Sequence, residues 1–246
     1  MKNYPLYTID KTITFIKAKG ISVPNIDTLD LDDTKTYDLL TEGNTHGIFQ
    51  FQRSDDKTYL RYSKLRTFSD LTAFIAFNRP GPVGNNMMHD FIDKKNGTNH
   101  FEFTDRKKHR EVITYNAPAL ESILSESYGL IIYREQIVEI AVKIAGFPDE
   151  QGKLFLKNLL QKNHEEMRTD KNRFVTGLKS NGIPMEKAVQ IYDHIEYQSG
   201  FVARKSYIEQ EALLTYKMAY LKANFPDEFM DAVKFENSYD SKTNLL

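Results

Sequence analysis

The sequence contains no cysteine. That excludes a disulfide framework, a thiolate zinc site and a cysteine nucleophile. No run of about eighteen apolar residues occurs, so no segment reads as a membrane span. The stretch Met1-Lys2-Asn3-Tyr4-Pro5 lacks the apolar core of a signal peptide. A soluble, cytoplasmic protein without a membrane partner is the expectation. An excess of one charge is also missing. The 33 Lys and Arg stand against 34 Asp and Glu, a formal net charge of -1, without the global basic excess of a dedicated nucleic-acid binder. No Gly-x-x-x-x-Gly-Lys-Ser/Thr loop, Gly-x-Gly-x-x-Gly turn or Gly-x-Ser-x-Gly elbow is present. The histidines, at 46, 89, 100, 109, 164 and 194, lack the close helical spacing of a metal pair. The carboxylate pairs Asp32-Asp33, Asp55-Asp56 and Glu165-Glu166 lie in polar surroundings that suit caps and solvent. A two-metal phosphoryl-transfer site needs carboxylates on rigid apolar strands. No catalytic residue and no metal ligand set is read from this chain.

What is present is a chain of 246 residues, long enough to bury a core without staples. Its apolar spacing is mainly helical. Ile9, Ile13 and Ile16 predict a helix over 6–19 closed by Gly20, and Asp32 or Asp33 caps a short one through Tyr37 and Leu40. A charged helix is expected over 53–66, and an apolar one, capped by Ser69, runs to Arg79-Pro80-Gly81-Pro82. Residues 83–117 read as loops with short elements. From Pro118 onward helices follow one another, with a good amphipathic pattern at Ile137, Val138, Ile140, Ala141 and Ile144. Two runs, Gly47 to Phe51 and Leu130 to Tyr133, read as short strands. The expected fold class is mainly α with a few short β-strands.

Positive charge is concentrated locally. Lys153, Lys157, Lys162, Arg168, Lys171, Arg173 and Lys179 stand against Glu165, Glu166 and Asp170 over 151–180. Lys153 and Lys157 fall on neighbouring turns of one helix face, with Lys162 five residues further. Arg204-Lys205-Ser206-Tyr207 opens a long helix, where cations, backbone donors and the dipole favour an anion. The two prolines after Arg79 force a stop and leave its guanidinium at a helix carboxyl end. Arg106, Lys107, Lys108, His109 and Arg110 form a further basic cluster in the irregular region. Each feature alone also reads as a solvated face or, for Arg79, as a helix stop.

Read in order, Asp33-x-x-x-Tyr37, Gly47-Ile48-Phe49-Gln50-Phe51, Arg79-Pro80-Gly81-Pro82, Tyr128-Gly129-Leu130-Ile131-Ile132-Tyr133-Arg134-Glu135-Gln136, Ala145-Gly146-Phe147, Lys205-Ser206 and Ala219-Tyr220-Leu221-Lys222-Ala223 form a specific set. It resembles the fingers domain of the α subunit of bacterial DNA polymerase III, the C-family replicative polymerase, over about residues 6–235. The resemblance implies a helical fingers domain at 31–235, an end-of-palm or linker helix region at 1–30 and a polar tail at 236–246. It implies primer-template DNA and a deoxynucleoside triphosphate (dNTP) as partners. Arg79, Lys157, Lys162, Arg204, Lys205, Ser206 and Tyr207 are the expected nucleotide or phosphate ligands. Lys153, Arg106, Lys107 and Lys108 are weaker DNA contacts. The family's metal-binding aspartates belong to the palm. Mg2+ is therefore expected only with a palm domain, on a separate polymerase chain or other replisome protein, and the chain alone is expected to polymerise nothing.

The departures matter as much. The family's helix usually reads like Leu-Arg-Arg/Lys-Ala-Met-Gly-Lys-Lys; here Leu156 stands for the first arginine, Leu160 for the glycine and Gln161 for a lysine. An Asn-Lys-Ser-His element reads Arg204-Lys205-Ser206-Tyr207, and a tyrosine usual before Arg-Pro-Gly-Pro is Asn78. Loss of a guanidinium removes a bidentate phosphate contact. The alternative is thus a non-catalytic phage or mobile-element protein that binds DNA or replication proteins, or competes with the host polymerase. An unrelated helical interaction module is the reading from another class.

Overall fold

The computed structural model describes residues 4–97 and 118–243. They fall into two compact units, one of Met1–Ile75 with Glu209–Leu246 and the other of Ala76–Ile208. In chain order the helices are α1 (Tyr4–Ala18), α2 (Thr34–Thr41), α3 (Ser54–Ser63), α4 (Phe68–Phe77), α5 (Pro80–Gly84), α6 (Met87–Asn96), α7 (Pro118–Leu124), α8 (Arg134–Glu139), α9 (Asp149–Gln161), α10 (His164–Ser180), α11 (Met185–Gln198), α12 (Lys205–Asn224) and α13 (Pro226–Thr243).

In the first unit α1 packs along α13, with Phe15 edge-on to Phe235. The N-cap of α2 is Asp33, whose carboxylate accepts the Thr36 N–H at 2.8 Å. The same turn is tied to α12: Tyr216 donates its hydroxyl to the Asp30 carbonyl at 2.8 Å and accepts the Asp33 N–H at 3.1 Å. Thr67, rather than the expected Ser69, caps α4. Its hydroxyl accepts the Asp70 N–H while the Asp70 carboxylate accepts the Thr67 N–H, a reciprocal box that satisfies two exposed helix-end donors. Lys222 is buried, and its ammonium donates to the Asn44 carbonyl, the Asn44 side-chain oxygen and the His46 carbonyl, each at 2.9 Å. Burial, with the nearby Lys57 charge, lowers its pKa to about 8.

The second unit is held by an aromatic core. Phe155 stacks on Phe174 with ring centroids 5.2 Å apart, and Phe147 and Tyr192 close on the pair. Tyr192, whose hydroxyl donates to the Met167 carbonyl, has its pKa raised by burial. After α8 the chain widens into a π-helical turn, Ile140–Ile144, before α9 begins. Residues 87–96, expected to be irregular, form the ten-residue helix α6. Its buried Met87, Met88, Phe91 and Ile92 supply the helical spacing that neighbouring asparagines and glycines obscure.

The expected short strands do not form among the described residues. Residues 130–133 are buried, but a single parallel bridge, Tyr133 with Ala203, is all that pairs there. The side-chain oxygen of Gln136 accepts both the Ile132 and Tyr133 N–H groups at 2.9 Å, so these donors are taken up by a side chain and not by a ladder. Gly47 to Phe51 is a turn. The Ile48 N–H bonds the Thr45 carbonyl, the Thr45 hydroxyl bonds the Phe51 carbonyl, and Gln50 takes a φ of 73° that no strand accommodates.

Candidate functional site

The helix α9 carries two useful faces. Gly152, Phe155 and Leu159 recur at the three- and four-residue spacing of one stripe and enter the core. Lys153, Leu156, Lys157, Leu160 and Gln161 repeat the same spacing on the adjoining stripe. Gly152 allows α9 to approach α8 and the π-helical turn after it: a β-carbon there would lie 2.6 Å from Val142 Cγ2 and 3.4 Å from Val138 Cγ1. On α8, Arg134, Glu135, Val138 and Glu139 occupy two successive turns of one side.

The two faces, with Arg204 just before α12, line a cleft of about 640 Å³. That volume suits a nucleotide-sized ligand. Its floor is aliphatic, from Val138, Leu156 and Leu160, and its rim is charged. Among the rim cations, Lys157 and Arg204 have no hydrogen-bond or ion-pair partner among the described residues. Lys153 is paired with Glu150, whose hydrogen bond raises the lysine pKa. Glu139 is paired with Lys143, and the Glu135 carboxylate accepts the Lys205 N–H at 3.1 Å. No three His, Asp or Glu side chains converge on a metal-sized site among the described residues.

The structure therefore brings together Lys153, Lys157 and Arg204 of the expected set. Lys162, the residue after α9, is exposed in a left-handed turn and does not line the cleft. Lys205 is engaged elsewhere: its ammonium pairs with Glu126 and lies 5.8 Å from the Tyr133 ring centroid. Ser206 and Tyr207 are exposed on the first turn of α12, outside the cleft lining. Arg79, also outside it, donates Nε to the Ala76 carbonyl at 2.7 Å and Nη2 to the Phe201 carbonyl. The guanidinium thus closes the end of α4 and holds the segment before Val202. Arg106, Lys107 and Lys108 lie outside the described residues.

One cation that lines the cleft is absent from the expected site residues. Arg134 opens α8, and its Nε is buried with no hydrogen-bond partner. Its place one turn before Val138, on the side of α8 that faces α9, was readable from spacing. Gln136, two residues further along the same motif, is the residue that organises the backbone there.

Residues 5–182 match the family model described as "Bacterial DNA polymerase III alpha subunit finger domain". The chain is 37% identical over 209 residues to DNA polymerase III subunit alpha of Halalkalibacterium halodurans, covering 85% of this chain and 18% of that protein. The same protein of Caulobacter vibrioides is 33% identical over 227 residues, 92% of this chain and 18% of the relative. That of Escherichia coli (strain K12) is 32% identical over 232 residues, 94% of this chain and 19% of the relative. The chain thus spans less than a fifth of the length of these three relatives.

Proposed function

Because the chain belongs to the bacterial DNA polymerase III alpha subunit finger-domain family, we propose that it serves DNA replication as a fingers element that binds primer-template DNA and an incoming dNTP. The observation that carries this reading is the α8–α9 cleft, where Lys157 and Arg204 stand without counter-ions over an aliphatic floor. Fixed cations of this kind stabilise a triphosphate and the charge that develops on it during transfer. Arg79 and Lys162 belong to the same proposed phosphate set from positions outside the cleft. Nucleotidyl transfer requires a palm with its Mg2+-binding aspartates, supplied by another region or another chain, and this chain's own part is to bind and orient.

A second reading is favoured by one feature. Leu156, Leu160 and Gln161, which stand for an arginine, the glycine and a lysine of the family's helix pattern, all line the cleft. That concentration supports a non-catalytic relative that binds DNA or replication proteins without ordinary nucleotide selection.

Primer-template binding measured by fluorescence anisotropy tests the first reading. Log affinity should fall linearly with log salt between about 50 and 200 mM, as counter-ions are released from neutralised phosphates. Addition of a palm-bearing chain should then give primer extension. Absence of DNA binding at low salt would remove both readings in favour of an unrelated helical module. DNA binding without extension by any palm would leave the second.

A further inference from the structure

We propose that Arg134 is a phosphate ligand of the α8–α9 cleft, acting with Lys157 and Arg204 on the polyphosphate of a nucleotide. This rests on the reading of the cleft as a nucleotide subsite and gives a ligand role to a residue outside the expected phosphate set. Three observations support it. The Arg134 Nε is buried without a hydrogen-bond acceptor, and the guanidinium has no carboxylate within ion-pair distance among the described residues. A donor left in that state costs free energy, which a bound anion recovers once the guanidinium turns to present Nε to it. The residue lines the same cleft as two other unpartnered cations, from α9 and from the segment before α12. Neither neighbouring carboxylate is paired with it: Glu139 is bound to Lys143, and Glu135 accepts the Lys205 backbone N–H.

The chemistry selects a polyanion. A planar guanidinium presents paired donors to two oxygens of one phosphate, whereas lysine acts as a point charge. Two arginines and a lysine around one cleft match a chain of phosphates better than a single carboxylate. The aliphatic floor of Val138, Leu156 and Leu160 then accepts the less polar remainder of the ligand.

Calorimetric titration with inorganic tripolyphosphate, and separately with a dNTP, tests this on the whole chain. Arg134→Gln should weaken tripolyphosphate binding about tenfold, the loss expected of one charge-assisted contact. Arg134→Lys should recover only part, and Lys179→Gln, at an exposed site near the end of α10, should bind as the unaltered chain does. If Arg134→Gln retains full tripolyphosphate affinity while Lys157→Gln loses it, Arg134 is no ligand although the nucleotide reading stands. If the unaltered chain binds neither tripolyphosphate nor dNTP, both fail together. Should Arg134→Gln lose its helical circular dichroism, Arg134→Lys decides, and full affinity in that folded variant would overturn the forked contact.

Discussion

Gly177 of α10 lies so close to Ala145 that a β-carbon at position 177 would stand 1.9 Å from the Ala145 carbonyl oxygen. The obstacle is backbone, so no side-chain rotation can relieve it. Gly177→Ala should therefore destabilise the chain by about 3 kcal/mol or more, seen as a lower denaturant midpoint. Gly152→Ala, where the nearest atom is the methyl of Val142, should cost less because that side chain can move. Equal stability of Gly177→Ala and the unaltered chain would show that the approach of α10 to Ala145 is wrong.

Gln136 is the second point at which one side chain replaces an element. It accepts two N–H groups and donates to the Ser127 hydroxyl at 2.7 Å, all buried. Gln136→Leu keeps the bulk but leaves the Ile132 and Tyr133 donors unsatisfied, at about 1–3 kcal/mol each. Denaturant unfolding should show a loss of at least about 2 kcal/mol, the lower bound for two orphaned donors.

Acid should act through His194. Its Nε2 is buried without a hydrogen-bond partner, and burial, helped by the Lys94 charge, lowers its pKa to about 4 from an ordinary 6.5. The unfolded chain binds the proton first, so this contribution is intact above pH 6.5 and is lost as pH falls towards about 4, to a maximum of about 3 kcal/mol. His194→Leu should flatten the stability profile in that window and leave it unchanged near pH 7.5. A profile of the same slope in both proteins would contradict the assignment.

The aliphatic floor of the cleft gives a reciprocal test of ligand chemistry. Leu156 lies beside Lys157 on the cleft face, so Leu156→Arg adds a forked cation facing the same space. Tripolyphosphate affinity should rise about tenfold, by the same charge-assisted contact that Arg134 is proposed to make. An unchanged affinity in calorimetry would mean that the cleft does not receive phosphate.

The sequence made much of the helical order legible because apolar spacing and caps are local. The face of α9 follows from its three- and four-residue repeats, and Lys153 and Lys157 were found by that rule alone. The strands were misread for a definite reason. Leu130 to Tyr133 is as apolar as a buried strand, but its donors go to Gln136, a choice that composition does not reveal. Helix α6 was hidden by flanking Asn85-Asn86 and Asn96-Gly97. At the site, Arg134 was missed because partnership, unlike charge, is settled in three dimensions. The pairing of Lys205 was illegible for the same reason, since its counter-ion Glu126 is 79 residues away in sequence.

Lys222 has a use beyond folding. An amine with a pKa near 8 is more often the free base at neutral pH than an ordinary lysine, and hence a better nucleophile, yet this one is enclosed by carbonyls and only 5% exposed. Acylating reagents would reach it only when the segment carrying Asn44 and His46 lifts away. Its modification rate, followed by mass spectrometry, becomes an internal clock for the opening of that part of the chain, readable without any introduced label.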